Sequence, residues 1–146
     1  MGILKTVHVA INVVDAEKSI PFWRDIMGLK MIADFEMEGK FLDTVQAKEN
    51  MRYRIVKFVS PDNFMLEVLE SKNHIMPAAA KTVLQDTGLR HFAFEVDDVD
   101  AMYKHVKKCG CETVSEPSTC EDGSMRLFFV RDPEENLIEI MQFYDV

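Results

Sequence analysis

The sequence predicts an α+β protein of two repeated βαβββ modules whose mixed sheets form a cleft. Three observations predict it. First, His8-Val-Ala-Ile-Asn-Val-Val-Asp15 and His91-Phe-Ala-Phe-Glu-Val-Asp-Asp98 are matching segments: each alternates, opens on His, carries Ala two residues later and runs into a helical stretch. Second, Pro61-Asp-Asn-Phe-Met-Leu-Glu67 matches Pro133-Glu-Glu-Asn-Leu-Ile-Glu139, a Pro-led turn feeding an apolar strand with Glu six residues after the Pro. Third, 47% of the 146 residues are apolar, enough for a packed interior.

The elements follow in order. Ile3 to Val14 reads as the first strand, tying down the amino terminus. Asp15 offers an N-cap to the helix that follows, which passes through Phe22 to Met27 and stops at Gly28. Pro21 is tolerable only in a first helical turn, so the regular helix is expected to begin near Ser19. Strands are expected around Lys30 to Phe35, at Tyr53 to Val59, and after Pro61. The second half repeats this: His91 to Val96, a helix from Asp98 to Gly110, a short strand around Glu112 to Val114, then Met125 to Val130 and the strand after Pro133. The whole of 1–146 thus forms one domain, with modules at 3–70 and 89–143 and a connector at 71–88 in which Asn73 to Leu84 carry a short helix.

Charge and cysteine content narrow the function classes. A net charge of −8 and a pI near 5.0 point away from nucleic acid and from an anionic membrane surface. No apolar run has the length of a membrane span and no secretory leader pattern is present, so the expected compartment is the cytoplasm. Cys109, Cys111 and Cys120 make an odd count, which suits reduced thiols better than a disulfide framework. They lack a second cysteine pair or a neighbouring His to complete a soft-metal site, and are read as structural or incidental thiols. The ten Met residues are read as adaptable core filler.

Four polar side chains then stand out inside apolar strands. Glu67 sits between Leu66 and Val68, and Glu139 between Ile138 and Ile140. An unpaired buried charge is costly, so each carboxylate implies a partner. His8 shares its strand face with Ala10, and His91 with Ala93, where small side chains leave room above the strand. Taken singly, a strand His is most often a hydrogen-bonded core residue and a strand Glu a solvent-facing one. Repetition of the same His…Glu pair changes the weighing. If the halves pack about a pseudo-two-fold, His8, Glu67, His91 and Glu139 converge on one divalent ion, making the cleft a metal-binding one. Two imidazoles and two carboxylates suit Ni, Zn, Co, Mn or Fe(II).

At this point the chain resembles the vicinal-oxygen-chelate superfamily, which includes glyoxalase I, methylmalonyl-CoA epimerase, fosfomycin-resistance enzymes, extradiol dioxygenases and bleomycin-resistance proteins. The residues that carry the resemblance are His8-Val-Ala-Ile, Phe22-Trp-Arg-Asp-Ile-Met-Gly28-Leu29, Leu66-Glu67, Arg90-His91-Phe-Ala-Phe-Glu-Val-Asp97 and Arg131-Asp-Pro133…Asn136-Leu-Ile-Glu139. The ligand set of bacterial glyoxalase I lands on His8, Glu67, His91 and Glu139.

The resemblance implies a metal-dependent lyase or isomerase. It would move a proton beside a metal-chelated carbonyl, turning a 2-oxoaldehyde thiol hemithioacetal into a 2-hydroxyacyl thioester. Glu139 is expected to be the principal base, with Glu67 as its symmetry mate. The substrate is a small molecule carrying glutathione or CoA, and the protein is expected to be a homodimer. Both thiol carriers are anionic, so Arg54 and Arg126, paired by the repeat, are candidate substrate contacts; Lys57, Arg52 and Arg90 are left unranked, and His74 and His105 are read as surface residues. The alternatives are an acyl-CoA epimerase of the methylmalonyl type, a non-catalytic antibiotic-binding protein, and a ring-cleaving dioxygenase. Glu67 counts against the first, because those epimerases usually place Gln there. A complete ligand set counts against the second, and a fourth acidic ligand against the third.

Overall fold

In a computed structural model the chain, described over residues 1–145, divides into two compact units, Met1–Ala78 and Ala79–Val146. The division lies inside the segment expected as a connector. Each unit contains one four-stranded mixed sheet.

The first sheet comprises β1 (Val9–Val13), β2 (Lys30–Glu38), β3 (Arg52–Val59) and β4 (Met65–Ser71), in the order β1-β4-β3-β2. β1 runs parallel to β4, and the other pairings are antiparallel. The strand expected from Ile3 begins only at Val9, and residues 1–8 lie outside regular structure. Pairing with β4 starts at Leu66 opposite Val9, so upstream residues have no backbone partner on that strand.

Helix α1 (Ala16–Pro21) begins three residues before the expected Ser19. Asp15 in extended conformation caps it, its Oδ1 accepting from Glu17 N at 3.0 Å. Pro21 is the last α-helical residue rather than a first-turn one. Beyond it the chain widens into a π-type turn over Phe22–Ile26, with Met27 N donating to Phe22 O at 2.8 Å. A proline donates no i→i−4 bond, and a wider turn directly after it keeps the remaining amides paired. Phe22 and Trp23 are thereby buried with Ile20, as are Val56, Phe58, Leu66 and Val68 of the sheet.

A second helix, α2 (Lys40–Gln46), was not expected. It ends on Ala47 in the left-handed region, φ 52°, whose N–H is bonded to the carbonyls of Asp43 and Thr44. Alanine pays a steric cost there that glycine avoids. Ala47→Gly is expected to stabilise the fold by about 0.5–1 kcal/mol. A rise in thermal midpoint checks it, and a fall would show that the loss of unfolded-chain stiffness dominates.

The second sheet comprises β5 (His91–Glu95), β6 (Ser118–Thr119), β7 (Met125–Arg131) and β8 (Leu137–Phe143), ordered β5-β8-β7-β6. This is the first sheet's arrangement repeated, with β5 parallel to β8. The short strand expected around Glu112 to Val114 is reduced to one bridge, Thr113 to Val130, and the strand proper lies later, at Ser118–Thr119. Helix α3 (Val99–Lys108) is capped by Asp98, whose Oδ1 accepts from Ala101 N at 2.8 Å, and is closed by Gly110 at φ 80°. The connector carries no helix over 73–84; its residues are bends, turns and irregular chain.

The repeat extends to fine detail. Glu70 Oε2 accepts from Ala16 N at the head of α1, and Gln142 Oε1 accepts from Val99 N at the head of α3. The hairpin turns match too: Ser60 N to Phe64 O and Asp132 N to Asn136 O are both 3.0 Å, and Asn63 and Glu135 both take positive φ, 67° and 66°. At the second turn Asp132 is buried, accepting from Glu134 N, Asn136 N and Asn136 Nδ2; its burial pushes the carboxyl pKa upward. Two sheets, their helices and the repeated βαβββ order confirm the predicted α+β class. No helix among the described residues is long and apolar enough to cross a membrane.

Candidate metal centre

Strand parity decides which side chains meet. In the first unit Ala10 is opposite Glu67 on β4, and Glu67 opposite Lys57 on β3, so these share one face of the sheet. Val9, Ile11, Leu66, Val68, Val56 and Phe58 occupy the other face, the one that carries α1. His8, one residue ahead of β1, lies on the Glu67 side: its Nε2 stands 3.5 Å from Glu67 Oε2. Glu67 is nearly enclosed, with 12% of its side chain exposed, whereas the His8 ring is 40% exposed.

The second unit repeats the pair. His91 opens β5 and faces β8, and its Nε2 stands 3.4 Å from Glu139 Oε2. The Glu139 side chain is 15% exposed and that of His91 40%. Phe129 is the cross-strand neighbour of Glu139, and its ring meets the His91 imidazole edge-on at 5.2 Å.

The spacings can be tested against a metal. Two N and O donors each about 2.0–2.2 Å from one ion, at tetrahedral or right angles, lie roughly 3.0–3.5 Å apart. Both pairs meet that requirement, and each has a carboxylate oxygen and a ring nitrogen pointed at one another with the ring accessible. Among the described residues no three His, Cys, Asp or Glu donors gather into a ligand group, so the donor set consists of two pairs, one in each unit.

The candidate arginines are not brought to these pairs. Arg54 lies on the opposite face of β3 from Lys57 and Glu67, bonded to Asp34 at 2.8 Å and to Glu17. Arg126 lies on the opposite face of β7 from Phe129 and Glu139, bonded to Asp100 at 3.0 Å. These bonds hold the Asp34 and Asp100 carboxyls below their ordinary pKa. Both arginines therefore join sheet to helix or strand to strand. Lys57, unranked from the sequence, is the cation that does meet a pair: its Nζ is 2.9 Å from Glu67 Oε1.

Cys109, Cys111 and Cys120 are free thiols, and burial pushes that of Cys111 up. Cys120 Sγ accepts from Met125 N at 3.2 Å inside its hairpin. His105 is exposed, as expected, but His74 is half-buried, with Nε2 enclosed.

A family model for the glyoxalase/bleomycin resistance protein/dioxygenase superfamily matches residues 5–140. The chain belongs to that superfamily. This glyoxalase-superfamily chain is 25% identical to a glyoxalase family protein of Bacillus cereus with a solved crystal structure. The two superpose with a TM-score of 0.90, over 99% of this chain and 97% of that one. It is 29% identical over 139 residues to the protein YraH of Bacillus subtilis (strain 168), covering 94% of this chain and 97% of the relative. It is 25% identical over 143 residues to a probable lactoylglutathione lyase of Vibrio parahaemolyticus, covering 94% and 90%. At these identities the glyoxalase-superfamily fold is shared throughout, and the specific reaction must be argued from the site.

Proposed function

We propose that this chain is a divalent-metal-dependent isomerising lyase of the glyoxalase I type. It would convert the hemithioacetal of a 2-oxoaldehyde and a small thiol into a 2-hydroxyacyl thioester. The observation that carries the reading is the duplicated His–Glu pair, with Nε2 to Oε2 separations of 3.5 and 3.4 Å at matching places in two sheets. The similarity to a probable lactoylglutathione lyase over nearly the whole chain supports the same class.

His8, Glu67, His91 and Glu139 would hold the ion, two imidazoles and two carboxylates being a borderline, Ni-, Zn-, Co-, Mn- or Fe(II)-compatible set. Such an ion supplies Lewis acidity, which lowers the pKa of a C–H beside a chelated carbonyl. Glu139 takes that proton from the hydroxyl-bearing carbon and returns it to the neighbouring carbonyl carbon. The hydroxyl proton of the first carbon passes to the oxygen of the second, so the first becomes the thioester carbonyl, the second the alcohol, and no external oxidant or reductant enters. The carboxylate is largely enclosed, with 15% of the Glu139 side chain exposed, which limits the water that reaches it. Glutathione is the expected thiol, coenzyme A the second choice, and a homodimer the expected working form.

Elemental analysis after extensive dialysis, then turnover of the methylglyoxal–glutathione hemithioacetal with the metal restored, tests this reading. Stoichiometric metal with turnover is the expected result. Metal without turnover moves the substrate to an acyl-CoA thioester, and failure to bind metal even on reconstitution would leave a binding protein.

A further inference from the structure

The two pairs have matched donors but unmatched neighbours. Lys57 and Phe129 occupy equivalent places, each directly across from the glutamate of its own hairpin. Glu67 is therefore gripped at both oxygens: Oε1 takes the Lys57 ammonium at 2.9 Å, and Oε2 stands by His8 at 3.5 Å. Lys57 is itself fixed, with 28% of its side chain exposed and its Nζ 5.7 Å from the centre of the Phe35 ring. Glu139 has an aromatic ring in place of the ammonium, and among the described residues its ion-pair partner is His91 alone.

We propose that Lys57 is the positioning residue that makes the two carboxylates unequal. It anchors Glu67 as the permanent ligand and leaves Glu139 as the carboxylate that moves to carry the proton. The proposal rests on the metal-dependent reading above. Its physical basis is that a charge-assisted bond in a partly enclosed site is shorter and stronger than a neutral one, so swinging Glu67 away requires breaking it. Swinging Glu139 breaks no such bond, since a phenyl ring offers a carboxylate no donor. The anchor also has a cost: an ammonium one carboxylate away from a dication repels it through a medium of reduced dielectric. Lys57 thus trades ion affinity for a fixed ligand geometry.

The test uses the full chain, freed of metal and titrated with Co(II), followed by visible absorption and by calorimetry. Lys57→Met is expected to bind Co(II) about ten-fold more tightly than the wild type, and Lys57→Arg to stay near the wild-type value. Should Lys57→Met fail to fold by circular dichroism, Lys57→Gln gives the same comparison with a neutral hydrogen-bonding side chain. In the turnover arm, Glu139→Gln is expected to lose at least ten-fold more kcat than Glu67→Gln at saturating Co(II). Exchanging the neighbours, Lys57→Phe with Phe129→Lys, is expected to reverse that order.

Affinity unchanged within two-fold on removal of the ammonium, or an order of glutamate effects that ignores the exchange, overturns the anchoring role. Tighter Co(II) binding without turnover in any variant upholds the anchor while sinking the proposed reaction. No Co(II) binding in any variant sinks both.

Discussion

Glu139→Gln is expected to lower turnover of the hemithioacetal by about three orders of magnitude at saturating metal, the middle of the range for losing a general base. The amide matches the carboxylate in shape, so β8 keeps its register against β5 and β7, and His91 keeps a polar neighbour. What it loses is the ability to accept a proton from carbon. Ion affinity should also fall, because one anionic donor has become neutral. Turnover must therefore be read at several metal concentrations, so that loss of the base is separated from loss of the ion. A variant that keeps more than a tenth of the wild-type rate once metal saturates would remove Glu139 from the proton path.

Phe128→Ala should cost about 3–5 kcal/mol of stability, as large aromatic truncations in cores do. Phe128 is fully buried on the α3 side of its sheet, where the Tyr103 ring meets it edge-on at 5.3 Å. Against a typical total of about 5–15 kcal/mol, that loss leaves little reserve. The adjacent Phe129 points the other way, toward His91, and is only half-buried, so Phe129→Ala should cost much less. Urea denaturation of the two variants makes the comparison. Near-equal losses would mean that the alternation assigned to β7 is wrong.

Most of the architecture could be read from the chain because the repeat supplies a second copy of each signal. A lone strand histidine says little, but His8 with Glu67 and His91 with Glu139 constrain each other, and both pairs form, at 3.5 and 3.4 Å. What was missed lacked a partner in the other half. Helix α2 has no counterpart between α3 and β7, and its seven residues after Gly39 are too few for a clear 3.6-residue pattern. The connector helix failed for a local reason: Pro77 falls inside the expected helix, where it donates no i→i−4 bond, and Ile75 is fully exposed.

Lys57 was within reach. A tight turn centred on Asp62 pairs residues equidistant from it, which sets Lys57 against Glu67 and puts Arg54, three residues earlier, on the other face. The net positive charge of a strand cannot rank its cations; the hairpin register can.

The two Pro-led turns carry a consequence for how sequences of this kind can diverge. Ser60 to Phe64 and Asp132 to Asn136 share their backbone bonds and their left-handed residue while differing at most side chains. Asp132 is held by its three bonds, but beyond the shared Pro the other side chains vary between the two turns while the length does not. One residue inserted after either Pro would slide the following strand by a single step, turning the glutamate under the helix and presenting its aliphatic neighbour in its place. Insertions and deletions of odd length at these two hairpins are therefore expected to break the pairs, whereas those around α2 lie outside the strands that carry the donors.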